Sequence, residues 1–104
     1  MNTEQVIDGQ RFEWDEEKAA RNITEHDGVT FFEAASVFAD ENSLIYPDDV
    51  HSEGERRYRT VGRSSADEIL VVCYTERESD RVVHIISTWK AESYESKEYR
   101  EQPL

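Results

Sequence analysis

The 104-residue sequence predicts an α+β fold, and three features carry that expectation. Phe31, Ala34, Ala35 and Phe38 recur at helical spacing behind Thr30, with Glu33 at capping-box distance. Three runs rich in Val, Ile, Thr and Tyr then follow closely, over residues 57–62, 69–75 and 82–87. The links between them, 64–67 and 76–80, are short enough for antiparallel hairpins. Helices first and strands afterwards, rather than in strict alternation, distinguish α+β from a parallel α/β sheet.

Taken in order, residues 1–10 show no periodicity and read as a flexible leader, with a single domain over 11–104. Arg11 to Trp14 alternates polar and aromatic, as a short edge strand does. Asp15 is suited to cap a first helix carrying Ala19, Ala20 and Ile23 on one side and ending near His26-Asp27-Gly28. The second helix begins at Thr30, and the pair forms an αα-hairpin. Leu44 to Tyr46 reads as a strand stopped by Pro47, and residues 48–54 as a polar loop. Ile69 to Cys73 is apolar without interruption, as in a central strand covered on both faces. A charged helix over 91–101, with Tyr94 and Tyr99 as its bulky groups, precedes Pro103. The sheet is expected to be antiparallel, with about four strands beside the N-terminal strand and two helices.

Composition narrows the function classes. With 24 acidic and 12 basic side chains the formal charge is −12, which repels nucleic acid at long range. Contact with RNA or DNA then requires a local cationic cleft, and a general nucleic-acid binder is disfavoured. The same charge suits a basic protein partner. No apolar run approaches the ~20 residues of a membrane span, and no apolar signal core is visible at the N-terminus, as in a cytoplasmic protein. One cysteine, Cys73, excludes an intrachain disulfide, and its apolar neighbours make it a small core residue rather than a nucleophile.

Against this anionic background, residues 51–63 hold Arg56, Arg57, Arg59 and Arg63. Guanidinium forks match phosphate and carboxylate oxygens in two-pronged geometry. Taken alone, the cluster is better explained by a solvated strand face paired with nearby glutamates.

The sequence resembles the BrnT toxin family, also called DUF497. The residues that carry the resemblance are Phe12-Glu-Trp-Asp15, Lys18, Asn22, His26, Gly28-Val29, Phe31, Glu33-Ala34, Val37-Phe38 and Asp40. Gly54-Glu55, Arg57, Gly62 and Ser64 follow, then Ile85-Ile-Ser87, Lys90-Ala91, Glu95 and Tyr99. Each fragment is weak alone; their order and spacing over residues 12–100 are specific. The resemblance implies a RelE-like fold and a small bacterial ribonuclease of a type II toxin–antitoxin system. It also implies neutralisation by a DNA-binding antitoxin, BrnA, with DNA reached only through that antitoxin. Three positions depart from the family pattern toward less positive charge: Trp89 where an arginine is expected, His84 at an often basic position, and Glu25 in place of lysine.

Metal-independent cleavage of RNA through the ribose 2′-hydroxyl needs a base, an acid and cations for the phosphorane, and no cofactor. Arg57 is the first candidate for the phosphate, supported by Arg63 or Arg77. His51 is suited to move protons near neutral pH, and Glu55 to act as base or to orient Arg57. Glu55 and Arg57, two apart on a strand, could equally form only a structural ion pair. Lys18, Lys90 and Trp89 are the substrate-binding candidates; Lys18 could simply solvate its helix, and Trp89 could stack on a base or pack on the last helix. His51 and Glu53 fall short of a metal site for want of a third ligand at recognisable spacing. His84, between Val83 and Ile85, reads as a wall residue, and His26 as a helix cap. The alternative function is a catalytically weakened relative that binds a basic, antitoxin-like partner.

Overall fold

The structure is a computed structural model that describes residues 1–52, 54–79 and 81–103. Its elements run β1 (Asn2–Ile7), β2 (Gln10–Asp15), α1 (Glu16–Glu25), α2 (Phe31–Ser36), β3 (Leu44–Asp48), β4 (Arg57–Arg63), β5 (Ile69–Arg77), β6 (Val82–Lys90) and α3 (Ser93–Arg100). Short 3₁₀ turns, Val37–Ala39 and Asp49–His51, follow α2 and β3. The strands form one six-stranded sheet in the order β1-β2-β6-β5-β4-β3. Among the described residues no helix is long and apolar enough to cross a membrane.

The α+β class stands, with two corrections to the sheet. It has six strands rather than about four, because the N-terminal hairpin joins the same sheet. It is also mixed rather than antiparallel, since β2 runs parallel to β6, with Phe12 opposite Val83. Residues 2–7 are not a loose leader; they pair with β2 from Asn2↔Asp15 to Ile7↔Gln10. Their polar composition hides the alternation of exposed Asn2, Glu4 and Val6 with half-buried Thr3, Gln5 and Ile7. The hairpin signal was nonetheless present: Asp8-Gly9 holds φ of 51° and 81°, the two left-handed residues of a tight turn that matches strand twist.

The helices form for the local reasons expected. The Asp15 carboxylate accepts from the backbone N–H groups of Glu17 and Lys18, and Thr30 Oγ1 accepts from that of Glu33. His26 is the C-cap of α1, followed by Gly28 at φ 76°. β3 runs through Pro47 instead of stopping before it. As an edge strand it tolerates a residue without an N–H on its open side. Both β5 and β6 extend past the expected ends, β6 through Lys90, so α3 starts only at Ser93.

One buried side chain fixes the backbone of β6 at Thr88, within that extension. Asn22 of α1, 3% exposed, donates from Nδ2 to the carbonyls of Val29 and Thr88 and accepts on Oδ1 from the Thr88 N–H. Three hydrogen bonds thus tie α1, the turn into α2 and the end of β6 together. Asn22→Ala leaves those backbone groups buried and unpaired, at a cost on the order of 2–3 kcal/mol. Thermal unfolding is expected to drop by roughly 10 °C or more. An unchanged melting curve would contradict this role.

The core lies between the sheet and α1 and α2. It is built from Phe12, Trp14, Phe31, Ala34, Val37, Leu70, Val72, Tyr74, Val83 and Ile85. β5 alternates strictly: Leu70, Val72 and Tyr74 face this core, while Val71, Cys73, Thr75 and Arg77 face the other side. On β6 a bulge opposite Cys73 and Tyr74 resets the alternation. His84 pairs with Thr75, but Ser87 pairs with Cys73 and Trp89 with Val71, so His84, Ser87 and Trp89 share the second face.

Candidate functional site

The second face of the sheet is a grid of polar side chains. Register places Asp48, Arg57, Thr75, His84 and Glu13 in one row across β3, β4, β5, β6 and β2. The adjacent row holds Tyr46, Arg59, Cys73 and Ser87, and the next Leu44, Val61, Val71 and Trp89. α3 lies over the last rows, where Tyr94, Glu95 and Glu98 line a groove together with Tyr46, Arg59, Val61 and Val71.

Ion pairs organise the first row. Arg77 grips Glu55 in a two-pronged contact, Nε to Oε2 at 2.9 Å and Nη2 to Oε1 at 3.0 Å, and its Nη1 lies 3.6 Å from Glu13. The hydrogen bonds from Arg77 lower the Glu55 pKa and Glu55 raises that of Arg77, so both stay charged. Glu55 is therefore the partner of Arg77, not of Arg57, because continuing the β4–β5 register past Arg57↔Thr75 brings residue 55 opposite residue 77. Among the described residues no carboxylate pairs with the Arg57 guanidinium, which is half-buried at the start of β4.

His51 closes the row at the open end. Both Asp48 oxygens lie within 3.1 Å of its Nδ1, which leaves Nε2 without a hydrogen-bond partner among the described residues, and Asp48 and His51 both line the groove. Burial of Asp48 works against ionisation, but the hydrogen bond from His51 and the charges of His51 and Arg59 outweigh it and lower its pKa. Arg59 points its Nε at Asp48 from 3.5 Å and sets its guanidinium 5.6 Å from the centre of the Trp89 ring.

Three buried polar atoms among the described residues have no hydrogen-bond partner: Arg59 Nε, Thr75 Oγ1 and His84 Nδ1. His84 Nδ1 is 3.2 Å from Glu13 Oε2, a close contact without the geometry of a regular hydrogen bond. All three atoms belong to side chains in two neighbouring rows of this one face. Orphaned buried polar groups are rare in folded proteins, and these three are gathered on one face.

Burial, reinforced by the Arg77 charge, lowers the His84 pKa below its ordinary 6.5 in spite of Glu13 and Glu55. The unfolded chain then takes up this proton more readily than the folded one. The stability that a neutral His84 contributes is fully present above the unfolded value and is lost as pH falls toward the folded one. The urea midpoint is expected to fall between about pH 7.5 and about pH 5.5, and less steeply in His84→Gln. Equal slopes for the two proteins would refute the assignment.

The sequence candidates separate into three groups. Arg57, Arg77, Glu55 and His51 share the face, and Trp89 sits at its α3 side. Trp89 Nε1 donates to the Glu95 carboxylate at 3.1 Å, and the ring lies 5.8 Å from that of His26, so its position is defined by packing. Arg63 does not converge with them. Six residues along β4 separate it from Arg57, roughly 20 Å of strand, and it pairs with Asp67 at 3.1 Å. Lys90 lies 3.9 Å from Glu68 at the far end of β6, and Lys18 rides on α1, which packs on the opposite face. Glu53 lies outside the described residues, and among those described no cluster of three His, Cys, Asp or Glu side chains is placed to hold a metal ion.

Residues that were not site candidates in the sequence complete the face: Asp48, Thr75 and Glu13, with Arg59 from the arginine cluster and His84 as the buried wall residue its neighbours suggested. Arg59 was legible, since it shares strand parity with Arg57. The meeting of Glu13 with His84 was not, because only the parallel pairing of β2 with β6 brings them together. Cys73 also lies on this face, half-buried, with its thiol pKa raised by burial.

The chain matches the family model described as the ribonuclease toxin, BrnT, of type II toxin–antitoxin system, over residues 14–95. In structure it is similar to the Brucella abortus ribonuclease toxin, BrnT, determined by crystallography at 1.1 Å, with a TM-score of 0.58 and 21% identity. That alignment covers 76% of this chain and 92% of the Brucella chain, and at such identity it bears on the fold alone. No curated protein matches the sequence. With the family model spanning most of its length and the fold in agreement, this chain belongs to the BrnT family of ribonuclease toxins of type II toxin–antitoxin systems.

Proposed function

We propose that the chain is a metal-independent endoribonuclease, with a RelE-like layout, working on the polar face between β3 and β6. The observation that carries this reading is the gathering of Arg57, Arg59 and Arg77 on one face of a protein of charge −12, around three buried polar atoms without partners. A phosphodiester supplies acceptor oxygens to Arg57, whose guanidinium has no ion pair with a described carboxylate, while Arg59 and Arg77 are already paired with Asp48, Glu13 and Glu55.

In this mechanism the RNA phosphate lies over Arg57 and Arg59. His51 Nε2 takes the proton of the ribose 2′-hydroxyl, with Asp48 holding Nδ1 and the ring orientation. The 2′-oxygen attacks phosphorus, the bond from phosphorus to the 5′-oxygen breaks, and that oxygen receives a proton from the protonated imidazole or from water. The products are a 2′,3′-cyclic phosphate and a 5′-hydroxyl. Arg57 and Arg59 neutralise the charge that builds on the phosphorane. Arg77, held by Glu55 and Glu13, sets the potential around them. Lys18, Lys90 and Arg63 lie away from this centre and have no part in the chemical step.

Regulation follows from the family. A DNA-binding antitoxin of the BrnA kind would hold the toxin inactive in the cytoplasm and connect it to DNA. The acidic surface suits a basic antitoxin.

The test is incubation of the purified chain with RNA in excess chelator. Cleavage leaving cyclic phosphate ends is expected, and it should be lost in His51→Ala. The arginines here face Glu13, Asp48 and Glu55, which favours a second reading, a weakened toxin that only binds its partner. No cleavage above background, together with partner binding that weakens with salt, would decide for that reading.

A further inference from the structure

Beside the arginines lies a groove of about 510 Å³, within the size range of small-ligand sites. Its floor is Val61 and Val71, both buried, and Tyr46 and Tyr94 stand along it. Tyr94 is 80% exposed, an unusual position for a large aromatic ring. Arg59 joins the groove to the phosphate-binding row. At another point of the lining stands Glu98. Its Oε2 accepts from the Tyr46 hydroxyl at 3.0 Å, while Oε1 has no donor among the described residues.

We infer that this groove receives a guanine base of single-stranded RNA next to the bond that is cut. The inference rests on the ribonuclease reading above and names the base it selects. Apolar floor and aromatic rims suit the π-face of any base. Of the three carboxylates lining the groove, Asp48 is held by His51 and Arg59 and Glu95 by Trp89 and the Glu92 N–H, which leaves Glu98 for a base edge and Arg59 for the phosphate. A basic side chain of a protein partner would match Glu98 but would be repelled by Arg59 in the same groove.

Glu98 supplies the choice among bases. A carboxylate only accepts hydrogen bonds. The Watson–Crick edge of guanine presents two parallel N–H donors, at N1 and N2, which match both carboxylate oxygens. Adenine and cytosine present one amine beside a ring nitrogen lone pair, and uracil one N–H flanked by two carbonyls. Each of these sets a lone pair against the carboxylate, so discrimination comes from repulsion as well as attraction. A good two-pronged pair discriminates between bases by about tenfold or more.

The test uses the full chain, titrated separately with GMP, AMP, CMP and UMP while NMR follows the methyl groups of Val61 and Val71 and the ring of Tyr94. GMP is expected to saturate these shifts with at least about tenfold tighter binding than the others. Glu98→Gln should abolish that preference, and Tyr94→Ala should weaken all four nucleotides; both residues are exposed, so folding is not at stake. Equal binding of all four, no binding, or shifts that appear only with a protein partner would overturn the inference. RNA cleavage without a guanine preference would sink the base pocket and leave the ribonuclease standing. Selective GMP binding by a chain that cuts no RNA would do the reverse.

Discussion

Arg57→Ala is expected to lower the rate of RNA cleavage by a factor on the order of a hundred to a thousand, with the folded structure intact. That is the usual loss when one preorganised charge donor to a transition state is removed. Arg57 is the guanidinium on the face with no ion pair to a described carboxylate, whereas Arg77 is already committed to Glu55 and Glu13. Its charge is thus the most available to a phosphorane. Its backbone role, an N–H donated to Ser52 Oγ and pairing with Thr75, survives truncation of the side chain. Single-turnover cleavage of a short RNA with matched circular dichroism spectra checks both halves. Arg63→Ala is the internal control: Arg63 lies far along β4 beside Asp67 and should leave the rate within a few-fold of the parent. Equal losses in the two variants would mean that charge at large, not the site, drives cleavage.

Phe12→Ala is expected to cost about 3–5 kcal/mol, the range for truncating a buried phenylalanine. For a domain whose whole stability is about 5–15 kcal/mol, that is a large share. Phe12 is 1% exposed and begins an aromatic ladder beneath the site. Its ring meets Phe38 edge-on at 5.4 Å, Phe38 meets Tyr74 at 4.9 Å, and Tyr74 stacks on Tyr58 at 5.6 Å. Tyr58 in turn lies between Arg57 and Arg59 on β4, on the opposite face. A cavity at Phe12 also loosens β2 where it pairs with β6, and Glu13 goes with it. Chemical denaturation should show the midpoint falling with little change in slope. A loss below about 1 kcal/mol would mean that the core repacks freely, against the close packing expected of such a cluster.

Much of the local structure was legible before any coordinates. Asp15 and Thr30 carry the capping oxygens, Phe31, Ala34 and Ala35 the helical stripe, and residues 69–73 the central strand. These depend on neighbours within a turn or a pleat, and such neighbours are adjacent in sequence. The edges were harder. Pro47 suggested a strand end, yet an edge strand has an open side that asks for no N–H. β1 was hidden by its polarity, although Asp8-Gly9 marked its turn.

At the site the division is similar. The arginine-rich stretch, with Arg57, Glu55 and His51, stood out in sequence because cations are scarce in so acidic a chain, and the family resemblance singled out the same stretch. What pairs with what did not stand out. Glu55 belongs to Arg77 through a register set across two strands, and Arg63 has the right charge and parity but the wrong end of β4.

The amino-acid order alone determined the α+β class, the helix caps, the family and the residues able to bear positive charge. Only the tertiary structure decided that β2 lies parallel beside β6, that a bulge turns Trp89 onto the face of His84, and that three orphaned polar atoms share that face. Caps and stripes are short-range physics, written within a few residues. Register, bulges and sheet order are set by which distant strands bury their apolar sides together, and no local pattern records that choice.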